Sequence, residues 1–260
     1  MSNDLAPDLD LALQLADHAD AFTLPRFDAR AFSVEVKDNL TEVTEIDRGV
    51  ETALVEIIQK QRPHHSWLGE EHGTGGTDDA DWTWVIDPID GTSNYVRGVP
   101  VWATLIALVH REVGPVLSAV SAPALGSRWW GVKDGGAFHN GAPIRVSEIT
   151  ELLDAHASIT PNAAWNSAGR SQNLHRLQNN VKRVRGFGDF WQHMLVAEGS
   201  IDLAVDAIGL QPYDIAALVP IVEAAGGTIT DRDGTHTWQG SCAVSSNGAL
   251  HHDIITILNA

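Results

Sequence analysis

The chain has 260 residues, 43% of them hydrophobic and 20% charged, with a formal charge of −17 from 34 acidic and 17 basic side chains. That length supports a sizeable core, as one large domain or two small ones, and the acidic excess argues against nucleic acid or an anionic membrane as partner. Cys242 is the only cysteine, which excludes an internal disulfide and a cysteine-based zinc site. Met1 to Asp10 lacks the basic and apolar segments of a signal peptide. The longest apolar run, Val99 to Val109, is too short to span a bilayer. A cytoplasmic, soluble protein is the expectation.

In chain order, Leu9, Ala12, Leu13, Ala16 and Ala19 recur at helical spacing, predicting a helix from near Asp8 towards Phe22. Val34 to Val36 reads as a short strand and Lys37 to Thr41 as a polar loop. A second helix opens at Thr44, buries Ile46, Val50, Ala53, Leu54, Ile57 and Ile58, and stops near Pro63. Thr44-Glu45-Ile46-Asp47 matches a capping box, so Asp47 has a structural reading of its own. Ser66 to Gly69 is a weak strand leading to Glu70-Glu71, and Gly73 to Asp81 reads as a mobile loop. Trp84-Val85-Ile86 ends a buried strand, after which Pro88 and Gly91 mark a sharp turn and Gly91-Thr92-Ser93 opens a short helix. Antiparallel strands are expected over Trp102–Val109, Val113–Ala122 and Arg128–Val132, with Gly-rich turns up to Pro143.

Strand signals give way to helix–strand alternation around Ser147 to Asp154, which predicts two domains, 1–148 and 149–260. The second half reads as strand (Ala157–Thr160), helix (Ser171–Asn179), strand (Arg183–Phe187), helix (Asp189–Glu198) and strand (Ile201–Val205). A helix over Asp214–Ala225, strands at Thr228–Thr230 and Ala243–Ser245, and a final helix complete a layered α/β unit.

The chemistry centres on Asp87-Pro88-Ile89-Asp90-Gly91-Thr92. Two carboxylates held this close repel unless a cation sits between them, and hard divalent ions favour such oxygen clusters. Exposed N–H groups at Gly91, Thr92 and Ser93 would suit a phosphate. A surface turn whose aspartates only cap the next segment fits the same residues. Competing chemistries fit poorly. No serine carries glycines at both −2 and +2, there is no H-E-x-x-H, and Gly73 to Gly76 lacks the lysine of a P-loop. An EF-hand fails because its twelfth position would be Gly98. An aspartyl-phosphate motif, D-x-D-x-T, is offset by one residue. Glu70, Asp87, Asp90 and Asp214 assemble better, each at a strand end or helix start, although Asp214 also reads as a helix N-cap.

With those residues in place, the chain resembles the inositol monophosphatase family of metal-dependent phosphomonoesterases. Gly69-Glu70-Glu71, Asp87-Pro88-Ile89-Asp90-Gly91-Thr92 and Tyr213-Asp214-Ile215-Ala216-Ala217 carry the likeness. Lys37 with Val43-Thr44-Glu45-Ile46-Asp47, Ala224-Ala225-Gly226-Gly227 and Ser246-Asn247-Gly248 extend it over nearly the whole chain. Tyr213 departs from the family's usual Trp. The resemblance implies a five-layer α-β-α-β-α sandwich, a homodimer, inhibition by Li⁺ and two to three Mg²⁺ per subunit. Glu70, Asp87 and the Ile89 carbonyl would hold one ion; Asp87, Asp90 and Asp214 a second; a weaker third would sit near Glu70. Asp47 and Thr92 would orient and deprotonate a metal-activated water for in-line attack on phosphorus.

The alcohol is less constrained. Gly188-Asp189-Phe190-Trp191 puts a carboxylate where inositol-specific relatives carry small residues, which suits a cationic amine or imidazole. Together with Asp90 to Trp102, it resembles the family's histidinol-phosphate phosphatase branch, placing the reaction in histidine biosynthesis. Asp189 reads equally as a helix N-cap. Asp206 is a second candidate contact, one residue out of register. The expected substrate-binding set is Asp90, Gly91, Thr92, Ser93, Asp189, Asp206 and Asp214. Inositol 1-phosphate, or a sugar or nucleotide phosphate, is the alternative substrate.

Overall fold

The strand that ends at the paired aspartates lies inside an eight-stranded sheet and is covered on both faces. The computed structural model describes residues 5–30, 32–36 and 42–260. Its elements are α1 (Ala6–Ala29), β1 (Val34–Val36), β2 (Glu42–Thr44), α2 (Glu45–Gln61), β3 (Ser66–Gly69), β4 (Gly73–Gly76), β5 (Trp82–Asp90), α3 (Thr92–Arg97), β6 (Ala103–His110), β7 (Gly114–Ala122), β8 (Ser127–Val132), β9 (Gly136–His139) and β10 (Ala142–Ile144). There follow β11 (His156–Ile159), α4 (Ala163–Ser167), α5 (Ser171–Asn179), β12 (Arg183–Arg185), α6 (Asp189–Ala197), β13 (Leu203–Val205), α7 (Pro212–Ala216), α8 (Leu218–Ala224), β14 (Thr228–Thr230), β15 (Val244–Ser246) and α9 (His251–Leu258). The expected polar loop Lys37–Thr41 lies outside the described residues.

The larger sheet runs β10-β9-β8-β7-β6-β5-β3-β4, antiparallel except where β3 joins β5. The smaller runs β12-β11-β13-β15-β14, with β12, β11 and β13 mutually parallel. α1 and α2 cover one face of the large sheet, and α6 and α8 fill the space between the sheets. α5 and α9 close the outer face of the small sheet. The order is α-β-α-β-α, the expected five-layer sandwich. Its central helical layer comes from the second half and packs on the first half's sheet: Val85, Leu105 and Trp129 share one cluster with Phe190, Met194 and Ile221. Strands covered on both faces need apolar side chains on both. That explains the unbroken β6 run, Ala103 to Val109, all buried.

Four expectations need correction. α1 continues to Ala29 despite Pro25, because Phe27 packs 5.3 Å from both Tyr95 and Trp102, and that burial outweighs the proline's local cost. Gly73–Gly76 is a strand paired with β3, and its glycines let it approach: a Cβ on Gly75 would lie 2.6 Å from the Trp67 ring. The helix expected over Asp214–Ala225 is broken into α7 and α8, since Pro220 cannot donate to the turn before it. Finally, Asp87 to Asp90 remains in β5; the sharp turn is a bulge in its pairing with β6.

His251 offers a test of this packing. Its ring nitrogens lie 2.9 Å from Thr230 Oγ1 and 3.0 Å from Ser246 Oγ, and burial pushes its imidazole down to about 4 from 6.5. The folded chain keeps the ring neutral, whereas the unfolded chain protonates it as pH falls below about 6.5. This residue therefore costs nothing above that pH and destabilises the fold progressively as pH drops towards 4. Urea unfolding of wild type and His251→Gln at about pH 7.5 and about pH 4.5 should show the difference moving by on the order of 2 kcal/mol in the variant's favour on acidification, allowing for the ring's partial exposure. Parallel pH profiles would show that the ring is not held neutral.

Candidate active site

β5 delivers Asp87 and Asp90, and the bulge between them turns both towards one cleft. α7 brings Asp214 from the other half of the chain. One carboxylate oxygen from each of the three lies within 4.8 Å of the others. Glu70, just after β3, lines the same cleft with Ile89, Gly91, Thr92, Ser93, Glu42 and Arg97, around a volume of about 520 Å³. α2 places Asp47 behind it, fully buried.

Each central carboxylate has one oxygen tied to the backbone. Asp87 Oδ1 accepts from Ile89 N at 3.0 Å, Asp90 Oδ2 from Phe190 N at 2.9 Å, and Asp214 Oδ2 from Gln211 N at 2.6 Å. Asp47 Oδ2 accepts from Thr44 N at 2.8 Å, completing a capping box. The capping-box reading of Asp47 is thus correct, whereas Asp214 is not the N-cap expected of it but the third residue of a capping box whose N-cap is Gln211; each side chain still has a second oxygen. That of Asp47 lies 3.2 Å from the Thr92 hydroxyl, which is also 2.9 Å from the Ile89 carbonyl. Gly91, at φ +82°, supplies the left-handed step that starts α3 at Thr92.

Burial, followed by the charges of Glu70, Asp90 and Asp214, raises Asp87 well above the usual carboxylate range. Burial and the neighbouring Asp189 and Asp214 do the same to Asp90, and burial carries Asp214 up to about 6. Burial also raises Asp47. The protein alone does not stabilise so many negative charges. An all-oxygen donor set, converging and electrostatically unsatisfied, fits a hard divalent cation.

The remaining sequence-derived candidates divide. Asp189 begins α6 in the left-handed region, at φ +48°, and makes no side-chain cap. Its Oδ2 accepts from Asn94 Nδ2 at 2.9 Å and would lie 3.4 Å from a Cβ on Gly91, so it borders the turn at Gly91. Burial and then Asp206's charge push it up to about 6. Asp206 itself is buried, and its oxygens are engaged by His193 Nε2 at 3.1 Å, Thr160 Oγ1 at 3.1 Å and Ala207 N at 2.7 Å. Its charge is felt by Asp90, Asp189 and Asp214. Tyr213 packs half-buried against the central apolar layer. The sequence reading passed over Asn94, His193, Arg97 and Glu42. Arg97 was legible only as one of 17 cations, and its pairing with Glu42 at 3.3 Å joins segments far apart in sequence.

If the cluster binds Mg²⁺, the metal-free protein should gain thermal stability on titration, by about 2.7 kcal/mol at a hundredfold excess over Kd. Asp214→Asn should equal or exceed wild type without metal, because it relieves repulsion, and should lose most of the Mg²⁺-induced gain in differential scanning fluorimetry. A wild-type melting curve indifferent to Mg²⁺ would remove the metal assignment.

Comparison with known proteins places this arrangement. The sequence model of the Inositol monophosphatase family matches residues 4–260. The chain is 45% identical to a histidinol-phosphatase of Streptomyces coelicolor over 264 residues, covering 98% of each. It is 44% identical to a histidinol-phosphatase of Mycobacterium tuberculosis, covering both completely. A crystal structure of an IMPase/NADP phosphatase complexed with Mg²⁺ and phosphate superposes with a TM-score of 0.85 at 25% identity, covering 99% of this chain and 97% of the other.

Proposed function

We propose, from the premise that the chain belongs to the inositol monophosphatase family, that it hydrolyses L-histidinol phosphate to L-histidinol and phosphate as a step of histidine biosynthesis. The observation that carries this reading is end-to-end identity of 44–45% to two histidinol-phosphatases. The position of Asp189 supports it: a carboxylate beside the Gly91 turn meets a substrate whose alcohol bears an amine and an imidazole.

Glu70, Asp87, the Ile89 carbonyl, Asp90 and Asp214 would hold the divalent cations. When bound, these supply the positive charge that admits a phosphate, acidifies water and stabilises a departing oxygen. The chain's own residues do the rest. Thr92 orients the attacking water and Asp47 receives its proton. The N–H groups of Gly91, Thr92 and Ser93 face the phosphate oxygens. As the incoming oxygen bonds to phosphorus, the ester P–O bond breaks and its electron pair leaves on the alcohol oxygen, which solvent protonates. Asn94 holds the Asp189 carboxylate towards the cationic alcohol, and Asp206 adds negative potential without contact.

Mg²⁺ as the metal, two to three ions per subunit, a homodimer, inhibition by Li⁺ and a cytoplasmic location belong to the same proposal, supported by the family. None of the helices among the described residues is long and apolar enough to cross a membrane. A division into 1–148 and 149–260 is supported by the confinement of each sheet to one part.

Three measurements test the reading. With Mg²⁺ present, kcat/KM for L-histidinol phosphate should exceed that for myo-inositol 1-phosphate; the reverse order would sink the substrate assignment. Asp189→Asn, which keeps the left-handed backbone tolerable, should lower kcat/KM for L-histidinol phosphate about 10- to 100-fold, as expected for a lost charge-assisted hydrogen bond. It should change β-glycerophosphate hydrolysis less than about threefold. Asp47→Asn should lower kcat on both esters by about 10²- to 10⁴-fold.

A further inference from the structure

Glu51 is a fully buried carboxylate that the chemistry above does not use. It lies four residues after Asp47 on α2, hence on the same face one turn further along. Its two oxygens are both engaged by the turn that follows β3. Oε2 accepts from Glu71 N at 2.8 Å, and Oε1 accepts from His72 N at 2.8 Å and lies 3.0 Å from His72 Nδ1. The space for this carboxylate exists because residue 69 has no side chain: a Cβ on Gly69 would lie 2.2 Å from Oε1 and 2.7 Å from Oε2. Gly69 and Glu71 flank Glu70 directly. The Glu51 carboxylate therefore sits against Gly69 on one side of Glu70 and bonds the two backbone N–H groups that follow it on the other.

We infer that Glu51 is a positioning residue for the metal centre: it fixes the Gly69–His72 turn so that Glu70 faces Asp87 across the cleft. Two backbone N–H groups converging on one carboxylate determine the path of the turn more tightly than packing does, because rotation of either peptide leaves a buried donor or acceptor unpaired. α2 then sets two positions at once. Its first turn holds Asp47 against Thr92, and its second turn holds Glu70 through Glu51. The distance between proton acceptor and metal ligand is fixed by one rigid rod of backbone.

Glutamine at 51 keeps the shape but presents an NH₂ to one of two backbone donors, so the turn loses one bond and gains a donor–donor conflict. The Mg²⁺ affinity of purified, metal-stripped protein, read by isothermal calorimetry without substrate, should weaken about 10- to 100-fold in Glu51→Gln, the range found when groups that orient ligands are removed. At saturating Mg²⁺, KM for the phosphate ester should stay within about threefold of wild type, since Glu51 touches neither phosphate nor alcohol. A folded Glu51→Gln protein with wild-type Mg²⁺ affinity would overturn the inference. Should that variant not fold, His72→Ala decides. It removes only the ring's contacts, with Glu51 Oε1 and at 3.4 Å with Thr52 Oγ1, from an exposed side chain and should weaken Mg²⁺ binding about two- to fivefold with circular dichroism unchanged; unchanged affinity would count against Glu51's role. The titration uses metal alone, so its outcome is independent of which alcohol the enzyme accepts.

Discussion

Mutual repulsion among buried carboxylates is the constraint on which this structure turns. Asp87, Asp90 and Asp214 are brought within 4.8 Å of one another from two distant parts of the chain, with Glu70 alongside. Such a cluster costs free energy in the folded chain, and the elevated proton affinities of Asp87, Asp90 and Asp214 are the sign of that cost. The fold supplies it from elsewhere. A nine-residue strand buried on both faces and two helical layers stapled to it hold the acidic end of β5 in place. The apolar run of β6, adjacent in the sheet, belongs to the same scaffold. Negative charge in the cleft and apolar burial beneath it are two parts of one arrangement.

Orientation is handled by a recurring local device. Asp47, Asp87, Asp90 and Asp214 each give one oxygen to a backbone N–H, by a capping box, a bulge or a long-range bond. The other oxygen is thereby aimed with little rotational freedom, so less entropy is lost when an ion or a proton arrives. The structural and functional readings of Asp47 and Asp214 are therefore compatible. A carboxylate has two acceptors, and a cap uses one of them. The bond from Phe190 N to Asp90 also ties the start of α6 to the end of β5, so the helix carrying Asp189 is registered directly against the hydrolytic site.

Much of this was legible in the sequence, and what was not has definable causes. The metal-cluster residues stood out because Asp-Pro-Ile-Asp-Gly combines chemistry and backbone punctuation in five positions. α2 was legible from its period and its capping box, whose bonds the structure shows directly. Glu51 was not, because a glutamate among Val50, Leu54 and Ile58 looks like a break in the apolar face; its partners are 20 and 21 residues away. The partners of Asp206 were hidden for a related reason. Asp206 follows the last residue of β13, and its carboxylate meets His193 and Thr160, which are 13 and 46 residues away. Pro25 and Pro220 illustrate opposite outcomes of one local rule. Aromatic packing around Phe27 carries α1 past the first, whereas the second divides α7 from α8.

The division of labour that results has a physical logic. The groups assigned to the phosphate sit on β5, α2 and α7, elements locked into the two largest apolar clusters. The group assigned to the alcohol, Asp189, sits at a strained first residue of a helix, following Gly188 at φ +78°. A left-handed aspartate at a helix start is costly, and its persistence is explained by the Asn94 bond and by the Phe190 N–H donated to Asp90. Changing residue 189 would therefore alter what the cleft reads beyond the phosphate while leaving the carboxylate cluster anchored through its own backbone bonds. A fold arranged this way can vary its alcohol by substitutions at one helix end, because the apolar support comes from other residues and the cluster oxygens are aimed by backbone N–H groups that a change of side chain leaves in place.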